Sequence, residues 1–491
     1  RTYLDPARAS LVHYRPASAS PLVLDAPAPV TTAAVVETLR ERAAQVAPIG
    51  SATVSTWTAP AIRVSRAAIP VEVAHGVHVY RTHAGDVPVL VRRVAGTPLV
   101  HLGVQARGGV LAEPLGRYGL ARATVLAAIK GVPGHDAAQL ADAAERLGGP
   151  IGTTAGVETI GWTISAPPSR ARDAATLLAA VVQEPLLPVE TLRTEMRLAQ
   201  AELDRARDDM GREPQRLLLD AAWGSHAYGR SPLGVADALT AMAVESHDDL
   251  DVAARALHEG AIRRGDPVIA VVGDDDPDTL AALVATTFDR LARGDTGAVG
   301  APEWPMTSRD AAVDREKQQT AIALAFPAPA RSSAERYAGV LLGSIASGLG
   351  GRFFEELRSK RSLAYTVSAT PHDRRLAGCF LAYIATSPAR ETEAREGLLA
   401  EFARLVDAPV HEDELERAQR AVLGARAIGL QGGAARLTQL LDAWSLGRGL
   451  VELDDVERRL LAETPASLHA YAQRWFDPAR VVTGTVRGVA R

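Results

Sequence analysis

The chain has 491 residues, 47% of them hydrophobic and 23% charged, with a formal net charge of −4. That length corresponds to about three domains of ordinary size, and the composition is that of a globular protein rather than a disordered, collagenous or coiled-coil one. The charge gives no basic field for nucleic acid or anionic membrane, no run of about 18 apolar residues offers a bilayer span, and the single cysteine, Cys379, excludes an intrachain disulfide and a cysteine-based metal site. Only Lys130, Lys317 and Lys360 are lysine, so nearly all cationic side chains are arginine, as the codon bias of a GC-rich, bacterial genome would produce.

In chain order, the first feature is a repeat. Residues 3–16 read YLDPARASLVHYRP and residues 475–488 read WFDPARVVTGTVRG, with a weaker third copy, HEGAIRRGDPVIAVVGD, at 258–274. The second and third copies follow helical patterns that begin after Ser246 and Thr464, residues suited to cap a helix N-terminus. One unit therefore closes near 275 and another near 488, and residues 1–16 resemble the tail of a preceding unit. Residues 17–70 are rich in Ala, Pro, Ser, Thr and Val and read as a linker.

The first unit spans 71–300. It opens with the strand patterns VHVYRTH, PVLVRRV and LVHLGVQA, and GVETIGWTISAP supplies another. Helical periodicity covers 116–131, 136–147, 169–184 and 188–209. The second unit, 301–491, repeats the plan. TAIALAFPAP is a strand, 333–348 a helix, LAYTVSATP and GCFLAYIAT are strands, and 390–407 and 411–430 are helices. The expected fold class is α+β: two homologous αβ domains, each a mostly antiparallel sheet covered by helices.

Chemistry-bearing motifs are few. No Gly-Lys-Ser/Thr follows the glycines Gly348, Gly350 and Gly351, so they form no phosphate loop. No Gly-x-Ser-x-Gly elbow occurs, and Ser347 and Cys379 have no evident histidine partner. His75 and His78 lie in or beside a strand with no glutamate placed to act with a metal.

Residues 343–367 read GSIASGLGGRFFEELRSKRSLAYTV. Together with ARGGVLAEPLGRYGLA, ERLGGPIGTTAGVETIGWTISAP and LRTEMRLAQAELDRARDDM in the first unit, this resembles the pitrilysin/insulinase family of zinc metallopeptidases, which includes the mitochondrial processing peptidases. The resemblance covers essentially the whole chain, with several separated motifs in the family's order. It implies a half-clamshell of two αβ domains that closes on a second half.

The family's zinc motif is His-x-x-Glu-His on a first-domain helix, with a third ligand, a glutamate, from a later helix. Two histidines four apart share a helix face, and the glutamate activates the attacking water. The matching positions here are Arg122-Ala123-Thr124-Val125-Leu126. Arginine, valine and leucine offer no lone pair to Zn²⁺, and a guanidinium repels it. A structural zinc site is worth on the order of 10 kcal/mol, so losing two of three protein ligands removes useful affinity. Glu202, seven residues after Glu195 on the later helix, is left as a ligand without partners and reads as a solvated or salt-bridged glutamate. The expectation is a chain without catalytic residues or zinc of its own, zinc lying in a partner half.

The second domain keeps the features that the family turns toward substrate: Arg358 and Tyr365, which match the arginine and tyrosine that hold the substrate backbone, and the loop of Gly348, Gly350 and Gly351, which lines the chamber. The resemblance thus implies the non-catalytic half of a zinc metalloendopeptidase, acting on peptides with a His-x-x-Glu-His half that is a separate chain or an upstream part of the same polypeptide. Two alternatives stand beside it: a structural subunit like the core proteins of respiratory complexes, and a peptide-binding module without cleavage. A lone cysteine suits cytoplasm or periplasm, and export of fused bacterial members tips the expectation toward the periplasm.

Overall fold

The computed structural model describes residues 68–294, 297, 299–348 and 350–489. The tail read at 1–16 and the linker up to residue 67 lie outside the described residues. Residues 61–491 form one compact unit.

Its first half is built on strands β1 (Ala68–Ala74), β2 (Val77–Thr82), β3 (Pro88–Arg93) and β4 (Val100–Arg107), a two-residue pair β5 (Gly131–Val132) and β6 (His135–Asp136), then β7 (Gly152–Ala155), β8 (Thr159–Ala166) and β9 (Pro267–Gly273). All but β5 and β6 form one sheet in the order β1-β2-β3-β9-β4-β8-β7. The second half has β10 (Arg309–Arg315), β11 (Thr320–Ala328), β12 (Thr366–His372), β13 (Gly378–Thr386) and β14 (Val482–Gly488). These form a second sheet in the order β10-β14-β11-β13-β12.

The two orders are the same. β3-β9-β4-β8-β7 superimposes in connectivity on β10-β14-β11-β13-β12, and in each sheet the one parallel pair falls at the same place, β3 with β9 and β10 with β14. The remaining pairs are antiparallel. The sequence repeat at 258–274 and 475–488 ends in these equivalent strands, β9 and β14. Ser246 and Thr464 cap the preceding helices, accepting hydrogen bonds from the backbone N–H of Asp249 and Ser467.

Most expected helices are present: Leu120–Ala128, Ala137–Leu147, Ala171–Gln183, Val189–Asp208, Arg336–Ser347, Glu391–Asp407 and Glu412–Gly429. The helix expected over 116–131 is shorter because Gly116 and Gly119 take positive φ, 81° and 109°, which holds the preceding turn open until Leu120.

Each sheet is buried on both faces, so its central strands are continuous apolar runs. All seven residues of β9 and all nine of β11 are buried. Helices of the same half cover one face. In the second half that core holds five of the chain's seven phenylalanines, Phe326, Phe353, Phe380, Phe402 and Phe476, with ring centroids 4.8–5.9 Å apart and mostly edge-on.

The other face is covered by a helix from the opposite half. Helix Arg212–Trp223 places Leu218, Ala222 and Trp223 against Ala323, Ala325 and Val482 of the second sheet. Helix Gly433–Ser445 places Leu437, Leu440 and Leu441 against Val79, Leu90 and Val268 of the first. Both contacts need a glycine in the strand beneath. A methyl group on Gly484 would collide with the Pro214 carbonyl oxygen and stand 2.6 Å from the Leu218 nitrogen, whereas one on Gly103 would meet only side-chain ends, Leu441 Cδ1 and Leu437 Cδ2, at 3.0 and 3.1 Å.

That difference sets an expected order of damage. Gly484→Ala pushes a backbone away and should destabilise by about 2 kcal/mol or more, while Gly103→Ala, met by leucine tips that can turn aside, should cost less than about 1 kcal/mol. Urea denaturation midpoints compare the two directly. Equal losses would contradict the geometry.

Candidate functional site

Helix Leu120–Ala128 carries the positions that match the zinc motif. Glu113 holds its N-terminus from across the preceding turn: one carboxylate oxygen accepts from the backbone N–H of Gly119 at 2.9 Å and of Ala121 at 2.8 Å. These are donors that a helix N-terminus otherwise leaves unpaired. The other oxygen is buried without a partner. Burial outweighs the two N–H bonds and pushes the Glu113 carboxyl up to about 7.

One turn in, Arg122 Nη2 donates to Glu202 Oε2 at 3.0 Å, both side chains about a third exposed. Glu202 comes from helix Val189–Asp208, which packs across helix Leu120–Ala128. Val125 is fully buried in the core, and its carbonyl accepts from the Trp162 indole at 3.1 Å. Leu126 is half-buried, one turn from Arg122 on the same face.

These residues do not fit zinc. Of the four positions only Glu202 has a donor atom, and its carboxylate is taken by a guanidinium. Arg122 supplies the positive charge that a metal would bring to Glu202, so the two helices stay linked without one. Among the described residues no group of three or more His, Cys, Asp or Glu is placed to hold a metal. His75 pairs with Asp454 at 2.8 Å instead.

Segment 352–365 carries the expected substrate-facing residues. Phe354–Lys360 is a π-helical turn anchored by ion pairs. Arg352 makes a forked pair with Glu414 at 2.8 and 2.6 Å, Lys360 meets Glu356 at 2.5 Å, and Arg361 meets Glu393 at 3.2 Å. Arg358 differs from these three. It is exposed, its guanidinium lies 4.8 Å from the centre of the Phe354 ring, and it makes no ion pair among the described residues.

Tyr365 is 61% exposed. Its backbone N–H donates to the Ala385 carbonyl at 2.9 Å, which fixes it just ahead of β12, the edge strand of the second sheet. No hydrogen bond joins Tyr365 to Arg358 among the described residues.

In the glycine loop, none of Gly348, Gly350 and Gly351 takes a positive φ. Gly351 is required by crowding, because a methyl there would sit 2.7 Å from both the Ala346 oxygen and the Gly348 nitrogen. Its N–H closes the loop onto the Gly348 carbonyl at 2.6 Å, and Arg417 reaches the Gly350 carbonyl at 3.5 Å. The loop is therefore a tight connection into the π-helical turn.

Cys379 and Ser347 are removed from nucleophilic chemistry by their surroundings. Burial pushes the thiol up to about 12, and the Ser347 hydroxyl bonds the Ala369 backbone. Sequence reasoning missed Glu113. Its spacing ahead of Gly119 is visible, but its burial and its unpartnered oxygen are not.

Glu113 predicts a pH response. Its folded pKa is raised, so the native state holds a proton that the unfolded chain releases near 4.5. The stability it contributes is complete below about pH 4.5 and lost as pH rises to about 7, by no more than about 3 kcal/mol. Glu113→Gln should flatten the decline in melting temperature over that window. The Arg122–Glu202 pair, about a third exposed, should show a coupling below about 1 kcal/mol in a double-mutant cycle with Arg122→Leu and Glu202→Gln.

Comparison with known proteins places this geometry. Residues 254–422 match the family model described as the peptidase M16 inactive domain. An uncharacterized zinc protease of Mycobacterium leprae is 27% identical over 318 residues, 62% of this chain and 68% of that protein. In three dimensions, the crystal structure of a peptidase M16 inactive domain from Pseudomonas fluorescens matches with a TM-score of 0.76 at 22% identity, over 84% of this chain and 99% of that one. A chain of complex III2 from Candida albicans matches with a TM-score of 0.67 at 14% identity, over 82% of this chain and 94% of that one. Over residues 254–422 the chain thus matches an M16 inactive domain, and it resembles the pitrilysin/insulinase-type zinc metallopeptidases while its own sequence contains no His-x-x-Glu-His motif.

Proposed function

We propose that this chain is the non-catalytic half of a zinc metallopeptidase, closing on a His-x-x-Glu-His half and supplying Arg358 and Tyr365 to the peptide backbone. The observation that carries this reading is the state of Arg358. In a segment where Arg352, Lys360 and Arg361 are each paired with a carboxylate, Arg358 is held over Phe354 and makes no ion pair among the described residues. Tyr365 stands exposed beside it in sequence, at the unpaired edge of the second sheet.

The chemistry suits a peptide. A guanidinium donates a charge-assisted fork to a carbonyl or carboxylate, and a phenol donates one hydrogen bond to a carbonyl oxygen. Gly348, Gly350 and Gly351 line the approach to the same turn. Zinc, the activated water and bond cleavage belong to the partner half, which is a separate chain or an upstream part of the same polypeptide. No helix among the described residues is long and apolar enough to cross a membrane.

A second reading is favoured by one observation, the fold likeness to the complex III2 chain: a structural subunit within a larger assembly. Such a role needs neither a free Arg358 nor an exposed Tyr365, and the peptidase reading uses both.

Hydrolysis of a quenched-fluorescent peptide library separates the two readings. The chain alone should be inactive, and adding the His-x-x-Glu-His half should give activity that a chelator abolishes. Arg358→Ala should lower kcat/KM of the assembly by roughly tenfold to a hundredfold with zinc content unchanged, and Tyr365→Phe by less. Silence in the mixture favours the structural subunit. Unaltered kinetics in Arg358→Ala removes the substrate role of that residue.

A further inference from the structure

The turn that carries Arg358 has two carboxylates of its own, Glu355 and Glu356, and one lysine takes both. Lys360 Nζ lies 3.2 Å from Glu355 Oε1 and 2.5 Å from Glu356 Oε1. A lysine ammonium is a compact charge with three donors, so one side chain serves two acids. The other oxygen of Glu356 faces Arg404 at 3.6 Å. Lys360 and Arg404 together hold the Glu356 carboxyl below the usual carboxylate range. Arg352 and Arg361 reach outward, to Glu414 and Glu393. Arg358 is left with the Phe354 ring, 4.8 Å from its guanidinium, and with no ion pair among the described residues.

The winding of the chain makes this division possible. Glu355 and Lys360 are five residues apart, the spacing that a π-helical turn brings together. In an ordinary α-helix the neighbours of Glu355 stand three and four positions on, and three positions on is Arg358. Leu357, fully buried, fixes the inner side of the turn, and Arg358, Ser359 and Lys360 are exposed. The side chains of Lys360 and Glu355 are 55% and 60% exposed, so their pair is weak and Glu355 can change partner once the ammonium is gone.

We propose that Lys360 is the positioning residue of Arg358, an inference that rests on the substrate role proposed for that arginine. By claiming Glu355 and Glu356 it keeps the Arg358 guanidinium unpaired over Phe354 and open to the carbonyl or carboxylate of a peptide. Removing the ammonium leaves Glu355 without a cation and three residues from Arg358, which it then captures.

Two readouts on the full chain test this. The first needs no catalysis: the rate at which p-hydroxyphenylglyoxal modifies Arg358, followed by peptide mass mapping. The reagent attacks the neutral guanidine, which a carboxylate partner disfavours. Lys360→Met should slow modification of Arg358 about two- to fivefold, the range of an exposed ion pair. Adding Glu355→Gln to Lys360→Met should restore the parent rate, and Lys360→Arg should keep it. The second is kcat/KM of the assembly with the His-x-x-Glu-His half. It should fall about two- to fivefold in Lys360→Met and recover in the double variant, a recovery that a loosened fold would not give. Modification of Arg358 that is unchanged in Lys360→Met, or slowed but not restored by Glu355→Gln, overturns the proposal. So does an assembly in which Arg358→Ala lowers kcat/KM and Lys360→Met leaves it unchanged. If Arg358→Ala itself leaves kcat/KM unchanged, the substrate role of Arg358 falls, and the modification rates alone decide whether Lys360 keeps it unpaired.

Discussion

Each half of this chain has a sheet with two apolar faces and helices enough to cover one of them. Covering the second face requires the other half to contribute a helix. Arg212–Trp223 lies on the second sheet, and Gly433–Ser445 lies on the first. Neither sheet is dry alone, so burial makes the two halves one folding unit, and the segments between strands must be long enough to reach across. The glycine at 484 follows from that constraint, because there the covering helix's backbone lies where a side chain would stand.

The same packing fixes helix Leu120–Ala128 through its own side chains. Helix Leu120–Ala128 is held by Leu120, Val125 and their neighbours in the core and by Glu113 at its N-terminus, so a metal is not needed to fix it. Glu202 still faces the helix. A carboxylate left there without a cation would lose its charge-assisted bond, and Arg122 restores it. An ion pair spans the crossing of these two helices.

Arginine carries nearly all of the chain's positive charge, and three environments give it three roles. Forked pairs such as Arg352 with Glu414 anchor turns. The exposed guanidinium of Arg358 stacks on the Phe354 ring and makes no ion pair among the described residues. The guanidinium groups of Arg331 and Arg336 converge on one buried carboxylate, Glu452. The residue type is the same in each case, and what distinguishes them is which carboxylates the fold brings within reach.

The sequence by itself determined the repeated unit, its strands, most of its helices and two helix caps, because these depend on periodicity and on residues within a few positions of one another. At positions 122, 125 and 126 it supplies Arg, Val and Leu, which lack a lone pair for a metal wherever they lie. The identical strand order of the two sheets and the exchange of helices were decided only in three dimensions, because 212–223 and 433–445 look like ordinary amphipathic helices whose partners are more than a hundred residues away. The same holds for the pairing of Arg122 with Glu202, the buried carboxyl of Glu113 and the exposure of Arg358 among paired neighbours. Each rests on burial and on which charges meet, and those are properties of the packed chain rather than of spacing along it.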